Sequence, residues 1–139
     1  MIHILCPNAI RTGGPEALHQ LSDALLHLRG GNVQMAFYTQ IEVERLARAA
    51  PADSYQFSTP TDSGFEEYGF YVRHVPAKSI VTNTPDDLIV LPEPLCHLAP
   101  KFDKARVLIW WLSVDNAFAS LARINLNCLR SPRIVHAVQ

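Results

Sequence analysis

Clustered basic residues are missing from this sequence. Its 12 Lys and Arg are spread among 13 Asp and Glu, the net charge is −1, and no run of like charges occurs. Nucleic-acid backbones are held by grouped cations, so no nucleic-acid partner is expected. Long apolar runs are missing too. None is long enough to cross a bilayer, and the N-terminus does not have the basic-then-apolar layout of an export signal. Cysteine is scarce and odd in number: Cys6, Cys96 and Cys128 sit in apolar or helical contexts. Reduced, buried thiols in a cytoplasmic protein are the simplest account. No pair of Cys or His has metal-ligand spacing, and the adjacent Cys96 and His97 lack companions, so neither a metal nor a cofactor is expected.

Familiar chemical fingerprints are absent as well. The first glycine loop is not Gly-x-Gly-x-x-Gly and lacks the Lys of a phosphate-binding NTPase loop. No Gly-x-Ser-x-Gly elbow occurs. Cys6 follows an apolar run, but no histidine is marked by sequence as its partner, so a catalytic thiol is not expected. What remains is a chain of 139 residues, 48% hydrophobic and 18% charged, which fits one globular domain.

The stretch that is present and organised opens the chain. Ile2 to Cys6 reads as a buried strand, a polar loop closes on Gly13-Gly14, and Pro15-Glu16 opens a run with helical periodicity. This is the strand, glycine loop, helix grammar of a nucleotide-handling α/β domain. Pro15 suits the first helical turn and Glu16 its positive dipole end. The glycines permit positive φ and a close approach of ligand to backbone N–H groups, or they simply make a tight turn. Within the strand, His3 reads as a satisfied core or edge histidine. Leu18, Leu21, Leu25 and Leu28 form one apolar stripe, and Gly30-Gly31 caps the helix in the left-handed region. Val33 to Thr39 is a second strand, with Val33, Met35 and Phe37 on one face and Ala36 and Tyr38 on the other. A right-handed crossover makes the two strands parallel.

Farther on, Gln40 to Ala50 is predicted helical, packing through Ile41, Val43, Leu46 and Ala47. Short strands are predicted near Tyr55–Phe57 and Tyr71–Val75, with aromatic residues anchoring an irregular layer between them. Leu88 to Leu91 is a central parallel strand, followed by a Pro92–Leu95 loop and a short helix from Leu95 to Phe102. Arg106 to Leu112 is another central strand, with Trp110 and Trp111 on opposite faces. A helix capped by Ser113 or Asp115 follows, then a last strand from Ile134 to Val138. The fold class is therefore α/β: a Rossmann-like, open, mostly parallel twisted sheet with helices on both faces. Because a parallel strand normally leads into a covering helix, the last strand is expected either to continue into a further domain or to be covered by an oligomer partner.

Open parallel sheets bind ligands beyond the carboxyl ends of their strands. The loops expected there bring Asn8, Arg11, Thr12, Gly13, Gly14, Glu93, Ser113, Asp115 and Asn116 together. Such groups suit a polar ligand bearing hydroxyls or phosphates. Amides at the glycines receive a pyrophosphate and Arg11 pairs with its charge. Glu93 hydrogen-bonds a sugar or acts as a base, or is merely a solvated loop carboxylate. Asp115 and Asn116 have helix capping as a competing role.

Gly13-Gly14-Pro15-Glu16 after a first strand, followed by a leucine-striped helix ending Leu28-Arg29-Gly30-Gly31-Asn32-Val33, resembles the opening of bacterial GT-B-fold glycosyltransferases. Those proteins often read Gly-Gly-x-Glu and then Gly-His-x-Val; Asn32 departs from the second motif. The segments Asp87–Glu93, Ile109–Asn116 and Ile134–Gln139 also look like parts of such N-terminal domains, in the same order. The resemblance implies the acceptor-binding half of a two-domain enzyme that moves a sugar from a nucleotide-sugar to a glycan or lipid-linked acceptor, without a metal. Its C-terminal donor-binding domain is missing here, so the isolated chain is expected to be inactive. Gly13 and Gly14 would line the diphosphate side of the cleft, and Glu93 with Ser113 to Asn116 would face the acceptor. Location would be cytoplasmic, with a lipid-linked acceptor bringing the enzyme to the membrane surface. The competing reading is a free-standing Rossmann-like module that binds a ligand or a protein without catalysis.

Overall fold

The computed structural model describes residues 1–8, 13–58, 80–112 and 130–138. Its elements run β1 (Ile2–Pro7), α1 (Gly13–Arg29), β2 (Val33–Tyr38), α2 (Gln40–Arg48), β3 (Ser54–Gln56), β4 (Ile80–Thr82), β5 (Leu88–Pro92), a 3₁₀ helix (Glu93–Lys101), β6 (Arg106–Trp111) and β7 (Ile134–Val138). Five strands form one sheet in the order β2-β1-β5-β6-β7, every neighbouring pair parallel. β3 and β4 form a separate antiparallel ribbon. The α/β, Rossmann-like sheet read from the sequence is the architecture observed. No described helix is long and apolar enough to cross a membrane.

Alternation along each strand divides the core into two layers. On the α1 side lie Ile4, Cys6, Val33, Met35, Phe37 and Val90, packed against Leu18. On the opposite side Leu5, Ala36, Ile89, Leu91, Val107 and Ile109 meet Val43 and Leu46 of α2 and Leu95, Cys96 and Leu98 of the 3₁₀ helix. Each fully buried Leu, Val, Ile or Met contributes roughly 1.5–3 kcal/mol relative to exposure. The two central tryptophans divide as expected, Trp111 to the α2 layer and Trp110 to the α1 layer.

Several boundaries differ from the sequence reading, each for a physical reason. Leu28 is 78% exposed rather than part of the α1 stripe. The buried face of α1 is centred between Leu18 and Ser22, and position 28 lies roughly a third of a turn away from that centre. Gly30 then takes φ +63° and ends the helix, as anticipated. In α2, Val43 and Leu46 are buried, but Ile41 is 79% exposed and Ala47 is also exposed. The buried place goes to Glu42, which closes a capping box with Thr39. One oxygen of Glu42 accepts from Thr39 N and Oγ1 at 2.7 and 2.8 Å, the other from Ser58 N and Oγ at 2.5 and 2.7 Å. Burial alone would raise this carboxyl; donation from Ser58 and Thr39 outweighs it and holds the group below its ordinary range.

The β3 strand was anticipated, but its partner was not. The strand expected at Tyr71–Val75 falls outside the described residues, and the ribbon is completed by Ile80–Thr82, a segment too short to carry a periodic signal. Asn83, fully buried, fastens this ribbon. Its Nδ2 donates to Ala52 O at 2.8 Å and Asp103 Oδ1 at 3.0 Å, while its Oδ1 accepts from Lys104 N at 3.1 Å and Ala105 N at 2.9 Å. The Tyr55 hydroxyl adds a bond to Lys101 O at 2.6 Å.

Candidate functional site

Chain order and spatial order diverge at one place. From β1 the chain steps outward to β2, then returns to β5 on the other side and continues through β6 to β7. The main-sheet order is thus 2-1-3-4-5, whose switch point lies between its first and third strands, here β1 and β5. The connections leaving Pro7 and Pro92 diverge at that point, so the crevice they leave is the place where this architecture takes a ligand. α1 begins at Gly13, a few residues beyond the end of β1, so its unpaired first-turn amides lie at the same edge.

Gly13 and Gly14 both fall inside α1. Left-handed backbone is not the reason for Gly13, since its φ is not positive; among the described glycines only Gly30 has that conformation. A Cβ built on Gly13 would meet no atom within 4 Å. Packing among the described residues therefore does not require glycine at this position. Pro15 is buried in the first turn, and Glu16, exposed, accepts a bond from Gln20 Nε2 at 3.3 Å.

Glu93 differs from the solvated loop carboxylate considered above. It is 2% exposed and is the first residue of the 3₁₀ helix, so the loop expected at Pro92–Leu95 is replaced by helix. Pro92, with φ −64°, and Pro94 at the helix start favour this turn, because neither ring requires a hydrogen-bonded N–H. Glu93 Oε2 accepts the backbone N–H of Leu112, the residue following β6. The carboxylate thereby ties the carboxyl ends of β5 and β6 together.

The register identifies further members of this edge. Pro7 pairs with Tyr38, and Pro92 pairs with Trp110. Continuing the β1–β5 register beyond Ile4 and Val90 sets Tyr38, Pro7, Glu93 and Trp111 in one row across the sheet, all on the α2 side. Tyr38 is half-buried; burial first, then the neighbouring Cys6 and Glu93, push its phenol far above the ordinary value, so it stays protonated. The Trp111 indole is already engaged: its Nε1 donates to His136 Nδ1 at 3.0 Å, and the two rings stack at 5.8 Å and 12°. Tyr38 was read from the sequence only as a packing residue. The signal that would have marked it is its place as the last residue of a strand one step from the switch point.

Of the residues singled out by sequence, Gly13, Gly14 and Glu93 lie at this edge. Arg11, Ser113, Asp115 and Asn116, and Thr12 with them, lie outside the described residues. Asn8 is described; its N–H donates to Tyr38 O at 2.8 Å, which closes the end of the β1–β2 pair.

A histidine does approach Cys6, which the sequence did not indicate. His19 Nε2 lies 4.0 Å from Cys6 Sγ, both side chains being buried beneath the α1 layer. Burial pushes the thiol far up and lowers the His19 imidazole to about 4. Both partners are therefore neutral near pH 7, the reverse of a thiolate–imidazolium nucleophile. His19 also packs against the Phe37 ring at 5.9 Å. Among the described residues no group of three or more His, Cys, Asp or Glu is placed to hold a metal ion.

Cavities among the described residues also lie elsewhere. One of about 180 Å³ lies between the 3₁₀ helix and the starts of β6 and β7, with Phe102, Val107 and Arg133 in its wall. Another of about 200 Å³ separates α2 from β3, bounded by Arg45, Leu46 and Phe57. Neither includes Gly13 or Glu93. The edge described above brings together helix amides, a carboxylate and a neutral phenol. Compared with known proteins, the chain matches no family model, no curated protein and no solved structure.

Proposed function

We propose that this chain is the acceptor-binding half of a cytoplasmic bacterial glycosyltransferase, one that moves a sugar from a nucleotide-sugar to a glycan or lipid-linked acceptor. The observation that carries the reading is that α1's glycine-led N-terminus and Glu93 follow the two strands that flank the switch point of a parallel sheet. It is supported by the Gly13-Gly14-Pro15-Glu16 resemblance. In this reading the Gly13 and Gly14 amides face the donor diphosphate, with Arg11 balancing its charge. Glu93 and the Ser113, Asp115 and Asn116 loop face acceptor hydroxyls. A C-terminal domain supplies the rest of the donor site, and a lipid-linked acceptor brings the enzyme to the membrane surface.

The test is a titration of isotope-labelled protein with uridine or guanosine diphosphate. Amide shifts confined to Gly13, Gly14 and the residues around Glu93 are expected, with sugar transfer appearing only when a donor-binding domain is joined to the chain. Millimolar nucleotide that leaves these amides unmoved overturns the reading.

A second reading has its own observation. β7 stands at the edge of the sheet with Val135 55% exposed, which fits a non-catalytic module whose last strand pairs with a second copy. Light scattering separates the two: a stable dimer abolished by Val135→Lys supports the module.

A further inference from the structure

The amino end of the sheet carries a buried polar chain whose proton positions are fixed by geometry. Gln34 Nε2 lies 2.9 Å from Ile80 O and 2.5 Å from His3 Nδ1. A carbonyl oxygen only accepts, so Gln34 must present its amide N–H groups to both neighbours. His3 Nδ1 is then an acceptor, and the ring proton resides on Nε2. That nitrogen donates to Thr82 Oγ1 at 3.0 Å, and the hydroxyl donates onward to Asp87 Oδ2 at 2.8 Å. Asp87 also accepts from Thr84 N at 3.0 Å and Thr84 Oγ1 at 2.7 Å, and faces the Met1 ammonium at 3.3 Å. Apart from the Gln34 N–H given to Ile80 O, every donor in the chain points towards the carboxylate. His3 is 1%, Gln34 3% and Asp87 4% exposed, so water does not readily substitute for any link.

We infer that this chain is an acid-sensitive clasp holding the β3–β4 ribbon on the main sheet. A second proton on His3 can enter only at Nδ1, where it meets the Gln34 amide donor head-on. Relief requires Gln34 to turn, and a turned amide sets its oxygen against Ile80 O. Either way the bond from β2 to β4 is lost. The charged groups facing the ring are Asp87, 3.5 Å from Nε2, and the Met1 ammonium. Asp87 favours the added proton but cannot supply an acceptor at Nδ1. Burial, the largest influence, keeps the ring's proton affinity below the ordinary value. The rest of the ribbon is held by the Asn83 bonds to Ala52 and Ala105 backbone and by the buried Tyr55 and Val81, none of which contains an imidazole, so loosening is local to Ile80–Thr82.

The test is amide hydrogen exchange at about pH 7.5 and about pH 5, corrected for intrinsic rates, with a parallel ¹⁵N titration of the His3 ring. Protection of Val81 and Thr82 is expected to fall at the lower pH by about tenfold or more beyond whatever Ile4 and Met35 lose through the change in global stability. The ¹⁵N shifts should place the neutral proton on Nε2. His3→Asn, which cannot titrate, should make ribbon protection independent of pH. A neutral proton found on Nδ1, or ribbon and sheet amides losing protection in parallel, overturns the inference, and the wild-type measurement decides even if the variant fails to fold.

Discussion

At the amino ends of the strands, His3, Gln34, Thr82, Asn83 and Asp87 are buried or nearly so, and their polar atoms are spent on one another and on backbone. At the carboxyl ends, a Cβ on Gly13 would meet no described atom within 4 Å, Tyr38 is half-buried, and Glu93 accepts from Leu112 N. One end of the sheet thus carries a closed polar network, and the other carries the first-turn amides of α1 and the Glu93 carboxylate. The contrast follows from topology: all parallel strands start at one end, where a ribbon and short turns seal them, and all diverging connections leave from the other. Substitutions at the networked end should therefore act on stability, and those at the other end on ligand capture.

The largest effect is expected at Asn83. Truncation to Ala strands the Lys104 and Ala105 N–H groups and the Ala52 carbonyl that the buried Asn83 side chain now pairs. Each buried orphan costs about 1–3 kcal/mol, so a loss of roughly 3–4 kcal/mol is expected in urea unfolding. Nucleotide binding at the other end, measured on the protein that remains folded, should not change. A shift in affinity comparable to the stability loss would break the division between the two ends.

Acid should be the next largest perturbation. Burial lowers His19 to about 4 and moves His3 in the same direction, so unfolding lets both rings take protons near their ordinary value of 6.5. The unfolded state then binds more protons, and stability falls as pH drops through 6.5 towards 4. The His19 contribution alone is worth about 3 kcal/mol across that window. Asp87 behaves differently. Burial would raise it, but bonds from Thr84 and Thr82 dominate and hold it at about 2, so its stabilisation is present above 3.8 and fades only as pH falls from 3.8 towards 2. Chemical unfolding from pH 7.5 to 4 should show the decline, and His19→Leu should flatten most of it.

Much of this architecture was legible because strands and helices that bury one face must repeat on a fixed period. Val33, Met35 and Phe37 against Ala36 and Tyr38 is the alternation that placed β2 between two layers. The polar network was not legible. His3, Gln34 and the Asn83–Asp87 turn lie far apart in sequence, and nothing periodic links them. Ile41 and Glu42 exchanged their expected places because a capping box outranks one apolar side chain on a short helix. At the candidate site the strand ends located the edge, but whether Glu93 stood in solvent or under the sheet depended on an amide 19 residues away.

Glu93 tests whether the carboxyl end is partly structural. Glu93→Gln keeps an acceptor for Leu112 N and should change stability by less than about 1 kcal/mol, whereas Glu93→Ala orphans that amide and should cost about 2 kcal/mol. If Glu93 serves acceptor binding, both variants should lose it equally. Binding that survives in Gln but fails in Ala assigns Glu93 to holding β5 and β6 together and nothing further.

The smallest expected effect on stability is the most informative about function. Gly13 has neither a left-handed backbone nor a described neighbour within 4 Å of an added Cβ, so Gly13→Ala meets no steric obstacle among the described residues. Alanine in place of glycine restricts the unfolded chain and favours helix, so a gain of roughly 0.5 kcal/mol is expected near the helix start. A methyl group there also projects from a backbone whose amides are proposed to carry a diphosphate. Nucleotide affinity should fall about tenfold while thermal stability rises slightly, two changes of opposite sign from one methyl. If affinity is unchanged in a stabilised variant, the start of α1 carries no diphosphate, and the glycine there records only a tolerance of the turn.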